Sequence, residues 1–123
     1  MLGSNDIIAF AATRDAAAAK SFYRDKLGLR LVSEDPFAVA FDANGTMLRV
    51  QIVPDVAKAK YTVLGWAVSD IAAAAKSLSK AGVTLERYTG LDQDQLGIWT
   101  APSGAKVAWF KDPDGNILSI TQF

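Results

Sequence analysis

Histidine and cysteine are both absent from the 123 residues of the sequence. Their absence excludes zinc fingers, disulfide frameworks, cysteine nucleophiles and serine–histidine–aspartate triads. A bound metal ion would have only oxygen ligands, and a general base would be Asp, Glu, Lys or Tyr. The absence of these two residue types therefore excludes several whole classes of metal and catalytic site.

An excess of charge of either sign is missing too, because 13 basic residues balance 13 acidic ones. No overall field then draws the protein to nucleic acid or to an anionic membrane, and we expect neither as a partner. No apolar run approaches the roughly 18 residues of a membrane span, and residues 1–6 lack the features of a signal peptide. We therefore expect a cytoplasmic protein whose residues 1–123 form a single globular domain.

The clearest organising feature is an internal repeat. The string Ala-Ala-Ala-Ala-Lys-Ser occurs at 16–21 and again at 72–77, and an aspartate, Asp15 or Asp70, precedes each copy. An apolar run comes before each aspartate, and a Lys-x-Gly tripeptide follows each helix-like stretch. This order predicts two similar modules, each with a strand, a capped helix and three further strands. Their predicted bounds are about 5–53 and about 61–123, with a linker at about 54–60.

Local signals predict the elements within the modules. Gly28 predicts the end of the first helix, and Asp-Ala-Asn-Gly at 42–45 predicts a hairpin turn. The segment 112–116 favours a structural turn over a calcium loop, because its glycine comes too early and no glutamate follows. The polar segment 92–95 predicts a loop. The first predicted helix runs from Asp15 to about Leu27, and the second covers 70–81 with Ser69 or Asp70 as its cap. The predicted strands cover 6–12, 29–34, 37–42, 46–53, 62–68, 83–88, 97–100, 106–111 and 117–121.

The alternation of side chains along these strands separates two faces of each sheet. Leu48, Val50, Leu118 and Ile120 are typical of the face on which a helix packs. The other face mixes aromatic, aliphatic and polar groups, a mixture typical of ligand sites. The residues predicted to bind a ligand there are Ile8, Phe10, Arg49, Gln51, Leu64, Trp66, Ser119 and Thr121.

Two of these side chains have a structural interpretation beside the functional one. Arg49 either points to water from a half-buried strand or binds a carboxylate or phosphate through both arms of its guanidinium. Trp66 is either core or a wall on which a ligand stacks, and it is a better candidate for the wall than Trp109, which we expect to be core. The residues that could supply an acid or base from loops are Tyr61, Tyr88 and Asp92.

Two further segments are characteristic: Phe-Tyr-Arg-Asp-Lys-Leu-Gly-Leu at 22–29 and Trp-Phe-Lys-Asp-Pro-Asp-Gly-Asn at 109–116. Together with the repeated modules, they resemble the vicinal oxygen chelate superfamily, which includes glyoxalase I, extradiol dioxygenases and the fosfomycin and bleomycin resistance proteins. The resemblance extends from about Asp6 to Gln122. It implies an α+β fold in which two βαβββ modules form an open cleft, and a homodimer that covers exposed sheet edges.

Most enzymes of that superfamily hold a divalent metal through His and Glu ligands on equivalent strands of the two modules. By resemblance, the ligand positions correspond to Ile8, Leu64, Ser119 and Arg49, or to Gln51 in place of Arg49. Two aliphatic side chains, a hydroxyl and a cation or amide do not form a normal ligand set, and Arg49 would repel the metal. We therefore expect neither a catalytic metal nor another cofactor.

The resemblance and the altered ligand positions lead to three hypotheses. The first is a glyoxalase- or bleomycin-resistance-like protein that has lost its metal site and binds a small apolar or aromatic molecule in the cleft. The second is a metal-independent lyase or isomerase that uses Arg49 electrostatically and a Tyr or Asp as acid–base. The third is an accessory subunit whose cleft covers a partner's surface. The sequence names no ligand and leaves open whether the protein is an enzyme.

Overall fold

Each half of the chain follows the order strand, helix and further strands that the repeat predicts. The computed structural model describes residues 1–123 and divides them into two compact units, Met1–Ala57 and Lys58–Phe123. The elements of the first unit are a short 3-10 turn (Leu2–Ser4), β1 (Ile8–Thr13), α1 (Ala16–Lys20), its π-helical continuation (Ser21–Lys26), β2 (Arg30–Glu34), β3 (Ala38–Ala43) and β4 (Thr46–Ile52). Those of the second unit are β5 (Leu64–Ala67), α2 (Ile71–Lys80), β6 (Trp99–Thr100), β7 (Lys106–Lys111) and β8 (Ile117–Gln122).

An aspartate begins each helix. The Asp15 carboxylate accepts the backbone N–H of Ala18 at 3.1 Å, and the Asp70 carboxylate accepts that of Ala73 at 3.1 Å. These bonds satisfy donors that the first turn of a helix leaves open, and they confirm both predicted helix starts. Gly28, with φ of 79°, follows the end of the first helix, as predicted. Neither helix has the length and apolar composition needed to cross a bilayer.

The two sheets have the same topology. The strand order is β1-β4-β3-β2 in the first unit and β5-β8-β7-β6 in the second, and the first strand of each unit pairs in parallel with the last. All other neighbours are antiparallel. These two βαβββ modules confirm the predicted α+β class. Because the parallel pair joins the two ends of a module, its register decides which side chains share a face.

One face of each sheet packs against the helix of its own unit. In the first unit, Leu48 and Val50 are fully buried, and Tyr23 from the helix meets Phe41 with ring centroids 5.7 Å apart. In the second unit, Leu118 and Ile120 are buried, as are Ile71 and Ala75 of α2. The predicted core positions Leu48, Val50, Leu118 and Ile120 are thereby confirmed.

One predicted strand is wrong. The segment 83–88 forms no regular strand, and only Leu85 makes an isolated antiparallel bridge to Phe110 of β7. Beyond that bridge the Glu86 N–H donates to the Trp109 carbonyl, but the Tyr88 N–H donates to the Gln93 side chain. A side chain replaces the strand partner, so the pairing ends after two residues.

The carboxylate of Asp112 accepts hydrogen bonds from within the turn at 112–116. Asp112 Oδ1 accepts the N–H groups of Asp114 and Asn116 at 2.9 and 3.0 Å, and Asp112 Oδ2 accepts the Asn116 side-chain amide at 2.7 Å. Asp112 and Asn116 are both buried. These bonds support the interpretation of this segment as a structural turn.

Candidate functional site

The helix-free face of the first sheet carries four of the predicted site residues. In the parallel pairing of β1 with β4, Phe10 lies beside Arg49, and Ile8 lies beside Met47. Gln51 follows Arg49 on the same side, because alternate residues of a strand share a face. The predicted association of Ile8, Phe10, Arg49 and Gln51 on one face is confirmed. We call this surface the Arg49 face; it consists of Ile8, Phe10, Met47, Arg49 and Gln51.

Arg49 lies in the middle of this face between apolar neighbours. Phe10 flanks it on β1 and Ala40 on β3. The side chain is half-buried and forms no ion pair or hydrogen bond with another residue. Arg30, on the same side of the sheet, lies 3.8 Å from the Asp42 carboxylate. The charge of Arg49 can therefore meet an external anion, whereas Arg30 has a partner within the chain.

One end of the Arg49 face is concave. A depression of about 480 Å³ opens there, and its apolar lining includes Ile7, Ile8, Val32 and Met47. Ile8 and Phe10 are 48% and 49% exposed, although both are large and apolar. Exposed apolar side chains around a concavity are typical of ligand or partner surfaces.

The second sheet corrects the prediction for Leu64 and Trp66. Leu64 lies beside Leu118 and Trp66 beside Ile120 in the parallel pairing of β5 with β8. Since Leu118 and Ile120 point into the core, Leu64 and Trp66 are on the helix side of the sheet. The expectation that these two residues face the ligand site together with Ser119 and Thr121 is wrong.

The cause of this error is the spacing of the repeat. The two aspartate caps lie one position closer together than the two alanine runs, because Ile71 comes between Asp70 and the second run. Aligning the alanine runs therefore shifts β5 by one residue, and a shift of one residue exchanges the faces of a strand. Trp66 packs in the core instead, stacked on the buried ring of Phe110 with centroids 6.2 Å apart.

Ser119 and Thr121 lie on the helix-free face, and their neighbours on β5 are Gly65 and Ala67. A Cβ atom on Gly65 would lie 2.7 Å from Ser119 Oγ, so the Ser119 hydroxyl lies over Gly65. Ser119 is only 7% exposed, and no other residue donates to or accepts from its hydroxyl. The small side chains make this part of the surface a shallow floor with a free hydroxyl.

Trp109 borders that floor, and two further aromatic side chains contact Trp109. Trp109 lies beside Ser119 in the antiparallel pairing of β7 with β8. Trp99 contacts Trp109 with ring centroids 6.0 Å apart, and Tyr88 stands edge-on to Trp109 at 5.5 Å and 86°. We call Tyr88, Trp99 and Trp109 the aromatic wall.

The aromatic wall was missed by the reasoning from sequence, and the expectation that Trp109 belongs to the core is wrong. Trp109 is half-buried on the helix-free face, while its neighbours Ala108 and Phe110 are buried. Counting outward from the turn at 112–116 pairs Trp109 with Ser119, and this count is the signal that could have found it.

An ion pair lies next to the aromatic wall. Lys111 Nζ is 3.5 Å from the Glu86 carboxylate. Partial burial raises the pKa of the Tyr88 phenol, and the nearby Glu86 charge raises that pKa further. Tyr88 is therefore neutral at physiological pH and can donate a hydrogen bond, whereas its use as a base is disfavoured.

Another cavity of the second unit lies elsewhere. It has a volume of about 610 Å³ at the start of α2, and its lining includes Asp70, Asp94, Lys106 and Gln122. Asp70, Asp94 and Gln122 already accept backbone N–H groups. We favour the floor and the aromatic wall as the candidate site, because their hydroxyl and ring faces remain free of such partners.

The fold is shared with several solved structures. A glyoxalase family protein from Bacillus anthracis has a TM-score of 0.74 at 14% identity, covering 97% of this chain and 94% of its own. A lactoylglutathione lyase from Agrobacterium tumefaciens has a TM-score of 0.74 at 19% identity, with coverage of 97% and 93%. A member of the glyoxalase/bleomycin resistance protein/dioxygenase superfamily from Sphaerobacter thermophilus DSM 20745 has a TM-score of 0.72 at 24% identity, with coverage of 97% and 98%. At these identities the similarity shows the fold alone.

The paired βαβββ modules define the fold class of the protein. A sequence model of one superfamily with this fold then shows which superfamily the chain belongs to. The model of the Glyoxalase/Bleomycin resistance protein/Dioxygenase superfamily matches residues 7–120. The chain belongs to this superfamily. None of the curated protein sequences matches it. Since one scaffold carries many functions, the site must decide between them.

The residues at the superfamily's metal positions do not fit a divalent metal. The strand register gives Val63 instead of Leu64 as the counterpart of Ile8, since each lies seven residues before its aspartate cap. The parallel pairing makes Arg49 the counterpart of Ser119. Two aliphatic side chains, a guanidinium and a hydroxyl provide no imidazole or carboxylate donor. No group of three or more acidic, histidine or cysteine side chains comes together in the chain.

The close approach of Ser119 to Gly65 makes a stability prediction. We expect Gly65→Ala to lower the free energy of unfolding by about 1 kcal/mol, because the new methyl group would overlap Ser119 Oγ and press on the Ser119 carbonyl oxygen at 3.3 Å. Chemical denaturation measures the change. Gly3→Ala is the control, since nothing lies within 4 Å of its Cβ position. A Gly65→Ala protein as stable as wild type would contradict the packing described here.

Proposed function

We propose that this protein is a metal-independent, small-molecule-binding member of the superfamily whose ligand is planar and aromatic. The observation that carries the proposal is the aromatic wall beside the floor of Gly65, Ala67, Ser119 and Thr121. Large rings next to small side chains create a step against which a flat molecule can lie. The proposal retains Ser119 and Thr121 as site residues and replaces Leu64 and Trp66 with Trp99 and Trp109.

The spacing of the rings limits the kind of ligand. Centroid distances of 5.5 and 6.0 Å are those of rings in direct contact, so no group fits between them. The three rings therefore form a wall and not a cage around a cation. A ligand must stack on the outer surface of the wall, which favours an extended aromatic system.

The hydroxyl of Ser119 supplies a polar contact next to this surface. The residue is only 7% exposed and no protein group pairs with its hydroxyl. Because no buried side-chain oxygen or nitrogen lacks a hydrogen-bond partner, this hydroxyl is open to solvent. A ligand oxygen or nitrogen can take the place of solvent and pair with this hydroxyl, which selects for a ligand with a polar group at that position. We therefore infer a ligand with a polar group attached to the aromatic system.

Trp109→Leu tests the proposal. We expect this change to weaken binding of 2-naphthoate roughly ten- to hundredfold in calorimetric titration, because stacking area and ring contact are lost together. Trp66→Leu is the matched control, since Trp66 stacks on Phe110 on the helix side. We expect Trp66→Leu to lower stability and to leave affinity nearly unchanged. Equal affinity of wild type and Trp109→Leu would contradict the proposal.

On the first unit, we infer that Arg49 binds an anionic group, with Gln51 as a polar neighbour and Phe10 and Ile8 as apolar flanks. The support is the half-buried guanidinium without a carboxylate partner. A guanidinium can pair with both oxygens of a carboxylate, and an adjacent ring contributes apolar contact. This inference concerns the Arg49 face alone.

Arg49→Gln tests this second contact. We expect the preference of the protein for benzoate over benzamide, measured by calorimetry, to fall about tenfold, because a charge-assisted hydrogen bond is lost. Arg30→Gln is the control on the same face, since Arg30 is near Asp42. An unchanged preference in Arg49→Gln, or an equal loss in both variants, would refute the role of Arg49.

We also infer a homodimer. Val32 and Phe37 are 48% and 76% exposed, and Val32 also lines the depression at one end of the Arg49 face. Exposed large apolar side chains beside an edge strand favour association with a second copy. Sedimentation equilibrium should give a mass of twice 13.1 kDa, and Phe37→Glu should shift the protein toward the monomer. A monomeric wild-type protein at micromolar concentration would refute this inference.

A further inference from the structure

One side-chain amide joins the two ends of the segment 86–97, which carries Tyr88 of the aromatic wall. Gln93 Oε1 accepts the Tyr88 N–H at 2.8 Å, and Gln93 Nε2 donates to the carbonyls of Glu86 and Gly97 at 2.9 Å each. The amide thus joins the incoming and outgoing ends of the segment. It uses its acceptor once and both of its donor hydrogens.

The incoming end is also attached to β7 and to the tip of the loop. The Glu86 N–H donates to the Trp109 carbonyl at 2.8 Å, and Arg87 donates to the Gln95 carbonyl at 2.8 Å. Tyr88 lies beyond both bonds and has no strand partner of its own. Its carbonyl accepts the Leu91 N–H at 3.2 Å within the loop, and its own N–H donates to Gln93, the contact that joins it to the other end of the segment.

We propose that Gln93 is a positioning residue that sets the Tyr88 ring edge-on to Trp109 and thereby fixes the boundary of the stacking surface. This proposal rests on the proposed function, since the boundary matters only for a ligand on the aromatic wall. The geometry that supports it is the 5.5 Å contact of Tyr88 with Trp109 at 86°. Tyr88 comes two residues after Glu86, whose carbonyl Gln93 also binds. Gln93 does not need to touch the ligand.

The chemistry of the amide explains why glutamine suits this position. A carboxylate could accept the Tyr88 N–H but would face the Glu86 and Gly97 carbonyl oxygens without a hydrogen to donate. A methionine has nearly the same shape and removes all three bonds. Gln93→Met therefore separates hydrogen bonding from packing.

The first test is a double-mutant cycle on 2-naphthoate affinity, measured by calorimetry. We expect Gln93→Met to weaken binding about tenfold in the wild-type background and less than twofold in the Tyr88→Ala background, because Gln93 acts through Tyr88. Gln95→Ala is the matched control, since Gln95 contributes only its backbone carbonyl to the network, and we expect its affinity to equal that of wild type. An equal loss in both backgrounds would overturn the proposal.

The second test needs no ligand. Burial raises the pKa of Tyr88, so release of the ring in Gln93→Met should lower that pKa toward the ordinary tyrosine value, with Gln95→Ala unchanged. Ultraviolet difference titration measures this step, and Tyr88→Phe identifies it among the 3 tyrosines. An unchanged Tyr88 titration in folded Gln93→Met would overturn the proposal. If the wild-type protein fails to bind 2-naphthoate, that result counts against the proposed function. The titration of Tyr88 uses no ligand and still tests the role of Gln93.

Discussion

The parallel pairing of the first strand with the last strand of each unit is the interaction on which the rest of the structure depends. It joins residues far apart in the sequence, and its register decides which side chains face the helix. In the second unit, this register brings Ser119 over Gly65 and places Trp109 beside Ser119. A shift of one residue would bury the floor of the candidate site and expose the core instead.

Most of the fold can be predicted because its signals are local. An aspartate cap needs only an N–H three residues later, a left-handed glycine ends a helix wherever it occurs, and the turns at 42–45 and 112–116 are specified by their own side chains. The strands of the first unit alternate clearly, which is why Ile8, Phe10, Arg49 and Gln51 can be assigned to one face from sequence. No long-range information is required for any of these predictions.

The face of β5 could not be predicted in the same way. Only four residues form the strand, and Leu64 and Trp66 are large and apolar whether they belong to the core or to a ligand site. The choice between the faces depends on the pairing with β8, more than fifty residues later in the chain. The aromatic wall has the same difficulty, since Tyr88 reaches Trp109 from a loop outside the regular strands, whose two ends are joined by the side chain of Gln93.

The two units show how one topology can carry different chemistry on equivalent positions. Phe10 beside Arg49 in the first unit corresponds to Gly65 beside Ser119 in the second. A ring and a cation present apolar area and charge, whereas a glycine and a serine leave space and a hydroxyl. Neither pair supplies an imidazole or a carboxylate. The divergence between the repeats therefore gives each unit its own contacts, with charge and apolar area in the first and space with a hydroxyl in the second.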